Sequence, residues 1–350
     1  MGKALRILLL LLNILCVVLL LLSTLTVWVA PSQWWLPSLL SYACPYLFLV
    51  NLIWVVLWLC FARKAFLLSA VAILLRMSFI PLFVQVGGTS EWTPEDTASL
   101  RIMTFNVHAF KGADGELSTD TGATRFLSLV RSERPDVLSM EEFYQPPRFA
   151  LIDSLKRMGY TYHHGVRSRM TGVVLFSRFP ITLVETDGRS KMCTDIAWQG
   201  DTLRIVSVHL NSYQLTADET HDLTNLSYSD TNVRSIFHKT RETIDQHERE
   251  WREELCPMLD KSPYPVVVAG DFNDTPASYI YQQMAKRMND AFVKQGRGIV
   301  ATYHAGVPSF RIDHIFCSDT LAVQAYKCIA SDISDHYPVT AVLTWSPKTH

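Results

Sequence analysis

Six short stretches of this 350-residue chain put Asp, Glu, Asn or His where an apolar run would otherwise end or continue. "TFNVH" closes an alternating pattern with Asn106 and His108, "PDVLSMEEF" ends in Glu141 and Glu142, and "IVSVHLNS" ends in His209 and Asn211. "VVVAGDFND" delivers Asp271 after a glycine, with Asn273 two residues on; "RIDHIF" embeds Asp313 and His314; "SDISDHYPVT" sets Asp335 against His336. Each stretch alone has a plain explanation. Asn106 and His108 suit a turn, the two glutamates a solvated strand end, Asp271 and Asn273 a capping turn, Asp313 an ion pair with Arg311, and His209 a satisfied core position. In extended backbone alternate residues share a face, so Asp271 and Asn273 point to one side whereas Asp313 and His314 do not.

Taken together the six stretches fit one chemistry, the metal-assisted hydrolysis of a phosphoester. Mg²⁺ takes oxygen ligands in near-octahedral geometry and keeps waters, so one or two carboxylates plus a substrate phosphate suffice. A histidine backed by a carboxylate supplies a base for the attacking water.

The ordered set "TFNVH", "DVLSMEE", "GVVLFSRFPI", "VSVHLNS", "VVAGDFNDTP", "RIDHIF" and "SDHYPV" resembles the endonuclease/exonuclease/phosphatase superfamily over Leu100–Trp345. The resemblance implies a four-layer α/β sandwich, two mixed sheets face to face with helices outside, and a catalytic edge where the loops gather. It implies Glu142 as principal metal ligand, with Asn106 and Asp335 at the same site and Mg²⁺ as the ion, Mn²⁺ as a substitute. Asp271 and Asn273 would position the attacking water and the phosphate. His336 would be general base or phosphate contact, oriented by Asp313, and His209 would stabilise the phosphate or protonate the leaving oxygen. Asn211 is carried over at a spacing that varies in the family. Glu141 stands where the family has Gln, so either glutamate of the pair is a candidate ligand.

Positioning such residues requires strands that stop at one edge. From Leu100 onward, strand-like runs such as "LRIMTFNV", "LRIVSVHL" and "YPVVVAGDF" alternate with helical ones such as "ATRFLSLVRSER" and a long charged segment near Val233–Leu259. That mixture indicates an α/β domain with buried sheets. The polar stretch Asn211–Asn232 reads as a long loop.

Before this domain, residues 1–88 read as a membrane anchor and residues 89–99 as a linker, leaving residues 100–346 as the catalytic domain. The first 90 residues contain no Asp or Glu. Three apolar runs, at about 5–29, 39–61 and 65–86, each reach the roughly 20 residues a hydrocarbon layer demands. Lys3 and Arg6 flank the first and Arg63-Lys64 separates the second and third, so the positive-inside rule puts these charges in the cytoplasm and the catalytic domain on the other side, the periplasm in a bacterium. Arg76 falls inside the third run and needs a partner helix or a route to the interface.

From Leu100 on there are 27 basic and 30 acidic residues, so the domain lacks the basic excess of a typical nucleic-acid binder. The expected substrate is a phosphoester, with a lipid headgroup or small molecule favoured by the anchor and a nucleic acid the alternative. A non-catalytic membrane scaffold with the same fold is the remaining class. The cysteines of the domain, Cys193, Cys256, Cys317 and Cys328, match no zinc spacing; buried free thiols are the favoured reading, and pairing in an oxidising compartment is the alternative.

Overall fold

The computed structural model describes residues 2–61, 64–89, 98–146, 149–165, 172–214, 219, 230–305 and 309–347. Most of the Asn211–Asn232 segment and of the linker lies outside these residues. In chain order the strands are β1 (Val84–Gln85), β2 (Leu100–Asn106), β3 (Val137–Glu141), β4 (Tyr162–His164), β5 (Val174–Ser177), β6 (Ile181–Thr186) and β7 (Lys191–Trp198). They continue with β8 (Asp201–His209), β9 (Val266–Asp271), β10 (Asn289–Asp290), β11 (Gly298–Ile299), β12 (Asp313–Cys317), β13 (Leu321–Cys328) and β14 (Val339–Trp345).

Two six-stranded sheets, ordered β13-β14-β2-β3-β5-β4 and β10-β12-β9-β8-β7-β6, face each other, and helices cover both outer surfaces. This is the four-layer α/β sandwich. Each sheet is mixed, with β2–β3 and β8–β9 the parallel pairs.

The period-2 alternation of the strands builds three hydrophobic layers and then the site. Along β2, Leu100 and Ile102 enter the layer between the sheets, while Met103 and Phe105 pack outward under Phe126 and Leu155. On the other sheet Leu203, Ile205, Val267, Ala269 and Ile315 face inward, and Val206, Val208, Val268 and Phe316 pack outward against Trp251, Leu255 and Ile280. At one end the inward-facing rows turn polar, with Thr104 and Asn106 on β2, Ser139 and Glu141 on β3, Ser207 and His209 on β8, and Asp271 and Asp313 on β9 and β12.

Gly270 permits the close approach of β9 to β8, because a Cβ there would lie 1.9 Å from the carbonyl oxygen of Val208. Cys193, Cys256, Cys317 and Cys328 are free thiols.

The N-terminal region departs from three straight spans. The helix Lys3–Ser23 and the short turn to Val27 form one continuous apolar element of 25 residues, long enough to cross a membrane. The expected second span breaks at Tyr42-Ala43, where Trp35–Ser41 meets Cys44–Cys60 at 74°. Pro45 explains this, since it supplies no N–H and sits in the first turn of the new helix. The expected third span breaks at Arg76, with Phe66–Leu75 inclined by 57° to Met77–Phe83, and its last expected residues form β1, paired with β11 of the catalytic domain. Arg76 lies over the Trp28 ring at 4.9 Å, so its partner is an aromatic face of the first helix's exit.

A buried polar chain ties the three long helices together. Trp58 Nε1 donates to Asn13 Oδ1 at 3.0 Å, Asn13 Nδ2 to Ser69 Oγ at 2.6 Å, Ser69 Oγ to Asn51 Oδ1 at 2.8 Å and Asn51 Nδ2 to the Cys16 carbonyl at 3.1 Å. Such interhelical bonds are worth about 0.6 kcal/mol each on average, and they fix which faces meet.

Candidate active site

Asp271 is the hub. It ends β9 directly opposite Asp313 on β12 and beside His209 on β8, so the registers alone bring three of the expected residues to one point. Its Oδ2 accepts from Asn106 Nδ2 at 3.0 Å and lies 3.7 Å from both His209 Nε2 and His336 Nε2. His336 Nδ1 contacts Asp313 Oδ2 at 2.9 Å, the pairing expected from the motifs. The ion pair of Asp313 with Arg311 does not form. Arg311 instead bonds Asp290 at 2.9 Å and His314 Nδ1 at 2.8 Å on the opposite face of β12.

Burial of carboxylates side by side shapes their protonation. Burial, reinforced by Asp313, raises Asp271 above the ordinary carboxylate range, against the pull of His336, His209 and Asn106. Burial pushes the His336 imidazole down, but the carboxylates of Asp313 and Asp271 outweigh it and bring it up to about 10. Without a metal, therefore, His336 is an imidazolium at neutral pH.

The two glutamates separate sharply. Glu141 is fully buried on the inward face of β3, where Thr104 and Ser139 hydroxyls donate to its Oε1, both at 3.1 Å. Burial, then Asp313 and Asp271, drive its carboxyl well above the usual range, which favours its neutral form there. Glu142 follows in left-handed backbone with φ of 50°, which breaks the alternation and turns its side chain into the open cleft. Its Oε1 lies 3.3 Å from Asn106 Nδ2 and 3.8 Å from His209 Nε2. Of the pair, Glu142 is the one that reaches Asn106 and His209.

Left-handed non-glycine backbone gathers here. His108, Ala109, Phe110, Glu142 and Asn273 all have φ between 43° and 64°. Each such residue costs roughly 1–3 kcal/mol and needs surrounding structure to hold it. For Asn273 that structure is a bond from its N–H to Asp271 Oδ1 at 2.8 Å and from its Nδ2 to the Leu210 carbonyl at 2.9 Å.

Asn106 directs its Nδ2 at Glu142 and Asp271 together, while its Oδ1 accepts from the His108 N–H at 3.1 Å. Asp335 faces the cleft from the other side, 3.5 Å from His108 Nδ1. Asn211 is not brought in; it is exposed, and its Nδ2 reaches Glu250 Oε1 at 3.3 Å. Two residues absent from the expected set line the cleft. One is His108, visible in "TFNVH" but indistinct there from turn chemistry. The other is Tyr303, whose ring lies 5.1 Å from that of His336, tilted by 60°, and whose hydroxyl pKa is raised by burial and then by Asp335, Asp271 and Glu142.

The donor set suits a hard cation. Asp271, Asp313 and His336 have ligand atoms within 4.8 Å of one another. Asp313 Oδ1 is buried without a hydrogen-bond partner, and like charges directly opposite across strands are destabilising unless compensated. Glu142, partly exposed and 3.3 Å from Asn106 Nδ2, borders this group on its solvent side.

Two mixed sheets packed inside helices, with an acid and histidine cluster at one edge, define a metal-dependent phosphoester hydrolase of the four-layer type. Residues 103–336 match the model described as the Endonuclease/Exonuclease/phosphatase family, and the chain belongs to that family of metal-dependent phosphoester hydrolases. Residues 6–83 match a second model, described as a domain of unknown function (DUF8431). No curated protein matches.

Among solved structures, the catalytic domain of human Nocturnin with bound sulfate anion is 17% identical, with 73% of this chain and 97% of that one covered and a TM-score of 0.50. An endonuclease/exonuclease/phosphatase from Beutenbergia cavernae is 19% identical over 71% of this chain and 72% of that one, with a TM-score of 0.47. Truncated TDP2 from Caenorhabditis elegans is 16% identical over 70% and 97%, with a TM-score of 0.48. At these identities the likeness concerns the fold.

Proposed function

We propose that this chain is a membrane-anchored, Mg²⁺-dependent phosphoesterase, and that its substrate is a phospholipid headgroup or a small phosphoester met at the membrane surface. The observation that carries the reading is the convergence of Asn106, His209 and His336 on a single oxygen of Asp271, with Glu142 at the open side.

Glu142 and Asp271 would hold the cation, with Asn106 orienting both carboxylates through its amide nitrogen and Asp335 bordering the site. Bound there, Mg²⁺ would neutralise phosphate charge and polarise the phosphorus centre. Of the two roles open to His336, phosphate contact fits its imidazolium state: Nδ1 is tied to Asp313, so Nε2 is free to donate to a phosphate oxygen. Asp271 and Asn273, joined by the Asn273 N–H, would position the attacking water. His209, on the Glu142 side, would steady the phosphate or protonate the leaving oxygen.

The anchor supports a substrate at the headgroup level. Trp28 and Trp34 are exposed at the helix exits, where aromatic rings favour the interface. With each bent pair taken as one broken span, three crossings leave Lys3, Arg6 and Arg63-Lys64 on the cytoplasmic side and the catalytic domain on the opposite one.

The test is the full chain in detergent micelles, given sphingomyelin, inositol phosphates and plasmid DNA in turn, with Mg²⁺ and with EDTA. Metal-dependent release of a phosphorylated or dephosphorylated headgroup, lost in His336→Ala and Asp271→Ala, is expected. Hydrolysis confined to DNA would replace the lipid reading with a nuclease, and activity unchanged by EDTA or by both substitutions would sink the mechanism.

A further inference from the structure

Asn273 lies at the catalytic cluster, and the next residue, Asp274, turns the other way. Its carboxylate is almost completely buried and both oxygens are used: Oδ1 accepts from the Tyr42 hydroxyl at 2.7 Å, and Oδ2 meets His247 Nδ1 at 2.9 Å. The Asp274 carbonyl pairs with His314 Nε2 at 3.2 Å, and His247 Nε2 with the Asn211 carbonyl at 2.8 Å. Every one of these partners except Tyr42 belongs to the catalytic domain. Tyr42 comes from the bend between the two membrane-proximal helices, 232 residues upstream.

The same ring packs against a second segment next to the site. Its edge meets Phe310 with centroids 6.4 Å apart, and the Phe310 carbonyl accepts from the N–H of Tyr303, the residue packed on His336. Other contacts seat the segment firmly. Thr26 Oγ1 donates to the Ala277 carbonyl at 2.6 Å, and both the N–H and the hydroxyl of Ser32 donate to the Glu248 carboxylate at 2.7 Å. Tyr42 thus touches the turn after β9 that carries Asn273 and Asp274 and, through Phe310, the segment that carries Tyr303.

We propose that Tyr42 is a positioning residue of the active site, so that the membrane region completes the catalytic geometry rather than only tethering it. The inference rests on the phosphoesterase reading. Its physical basis is that Asn273 is held in left-handed backbone, and the neighbouring Asp274 anchor helps keep it there.

The full chain in micelles with Mn²⁺ and bis(p-nitrophenyl) phosphate, compared with Tyr42→Phe, Asp274→Asn and the double variant, tests it. Tyr42→Phe keeps the ring and removes only the hydroxyl. We expect kcat to fall about 10-fold with KM within about twofold, since a small misplacement costs rate rather than binding. The Tyr42 hydroxyl also meets that of Tyr213, so the double variant should be slower than Asp274→Asn alone by less than Tyr42→Phe is slower than wild type, the signature of a shared interaction. Amide exchange at Asn273–Thr275 should quicken in Tyr42→Phe while the Val266–Ala269 strand stays protected. Unchanged exchange at those amides overturns the proposal, as does a wild-type kcat or an additive double variant. A wild-type chain inert towards the diester would count against the phosphoesterase reading, and the exchange result would still decide the role of Tyr42.

Discussion

Glu141 and Glu142 are neighbours in the chain and opposites in the fold, and a single backbone angle separates them. Ordinary strand alternation sends Glu141 between the sheets, where burial favours its neutral form, and the left-handed turn at Glu142 puts a carboxylate in the cleft. Glu141→Gln is close to isosteric, keeps an acceptor for Thr104 and Ser139, and removes no charge. It should leave kcat/KM within about threefold of wild type, whereas Glu142→Gln should lower it at least ~100-fold and weaken Mn²⁺ binding. Steady-state hydrolysis with calorimetric metal titration measures both, and the reverse ranking would exchange their roles. Most of the cluster was legible as residues, because Asn106, His209, Asp271 and Asp313 interrupt rows that are otherwise apolar. Tyr303 was not, since an aromatic residue in a loop carries no pattern of its own, and Asn211 was carried over from the resemblance at a spacing that varies in the family.

Strand β12 shows how one element separates catalysis from stability. Asp313 faces His336, and His314, one residue on, faces the outer layer, fully buried against Arg311, Phe272 and Tyr281. Burial, then the Arg311 charge, lowers the His314 imidazole from 6.5 to about 3. Above pH 6.5 the group is neutral folded or unfolded and contributes no pH dependence. Below it the unfolded chain takes a proton that the folded chain refuses, so stability is lost as pH falls from about 6.5 towards 3. At pH 4.5 the loss amounts to roughly 2–3 kcal/mol, at about 1.36 kcal/mol per unit. His314→Gln keeps an acceptor for Arg311 without the titration, and its urea midpoint should fall less between pH 7.5 and 4.5 than that of wild type; equal falls would clear His314 of the effect. The alternation that parts Asp313 from His314 was readable in "RIDHIF". The helix breaks were not read, although Pro45 and Pro81 signalled them, because apolar length alone says where lipid can be met and nothing about where the backbone bends.

Over the whole molecule, the direction of the N-terminal helices fixes which of their ends lies at the sandwich. The Lys3–Ser23 helix runs towards the catalytic domain, since Thr26 just beyond its end bonds the Ala277 carbonyl, and Phe66–Leu75 runs the same way, since Arg76 beyond its end covers Trp28. Asn13 and Ser69 join these two helices partway along. Lys3, Arg6 and Lys64 consequently belong to the end remote from the domain, which agrees with the positive-inside rule if the proposed three crossings are made. An epitope before Lys3 and another after Trp345 should then lie on opposite sides of sealed vesicles, so that protease added outside removes one and spares the other until detergent is added. Both epitopes cleaved together, or both protected, would mean an even number of crossings. The bend at Arg76 would then mark a re-entrant segment, and the cleft at His336 would open to the compartment that holds the N-terminus.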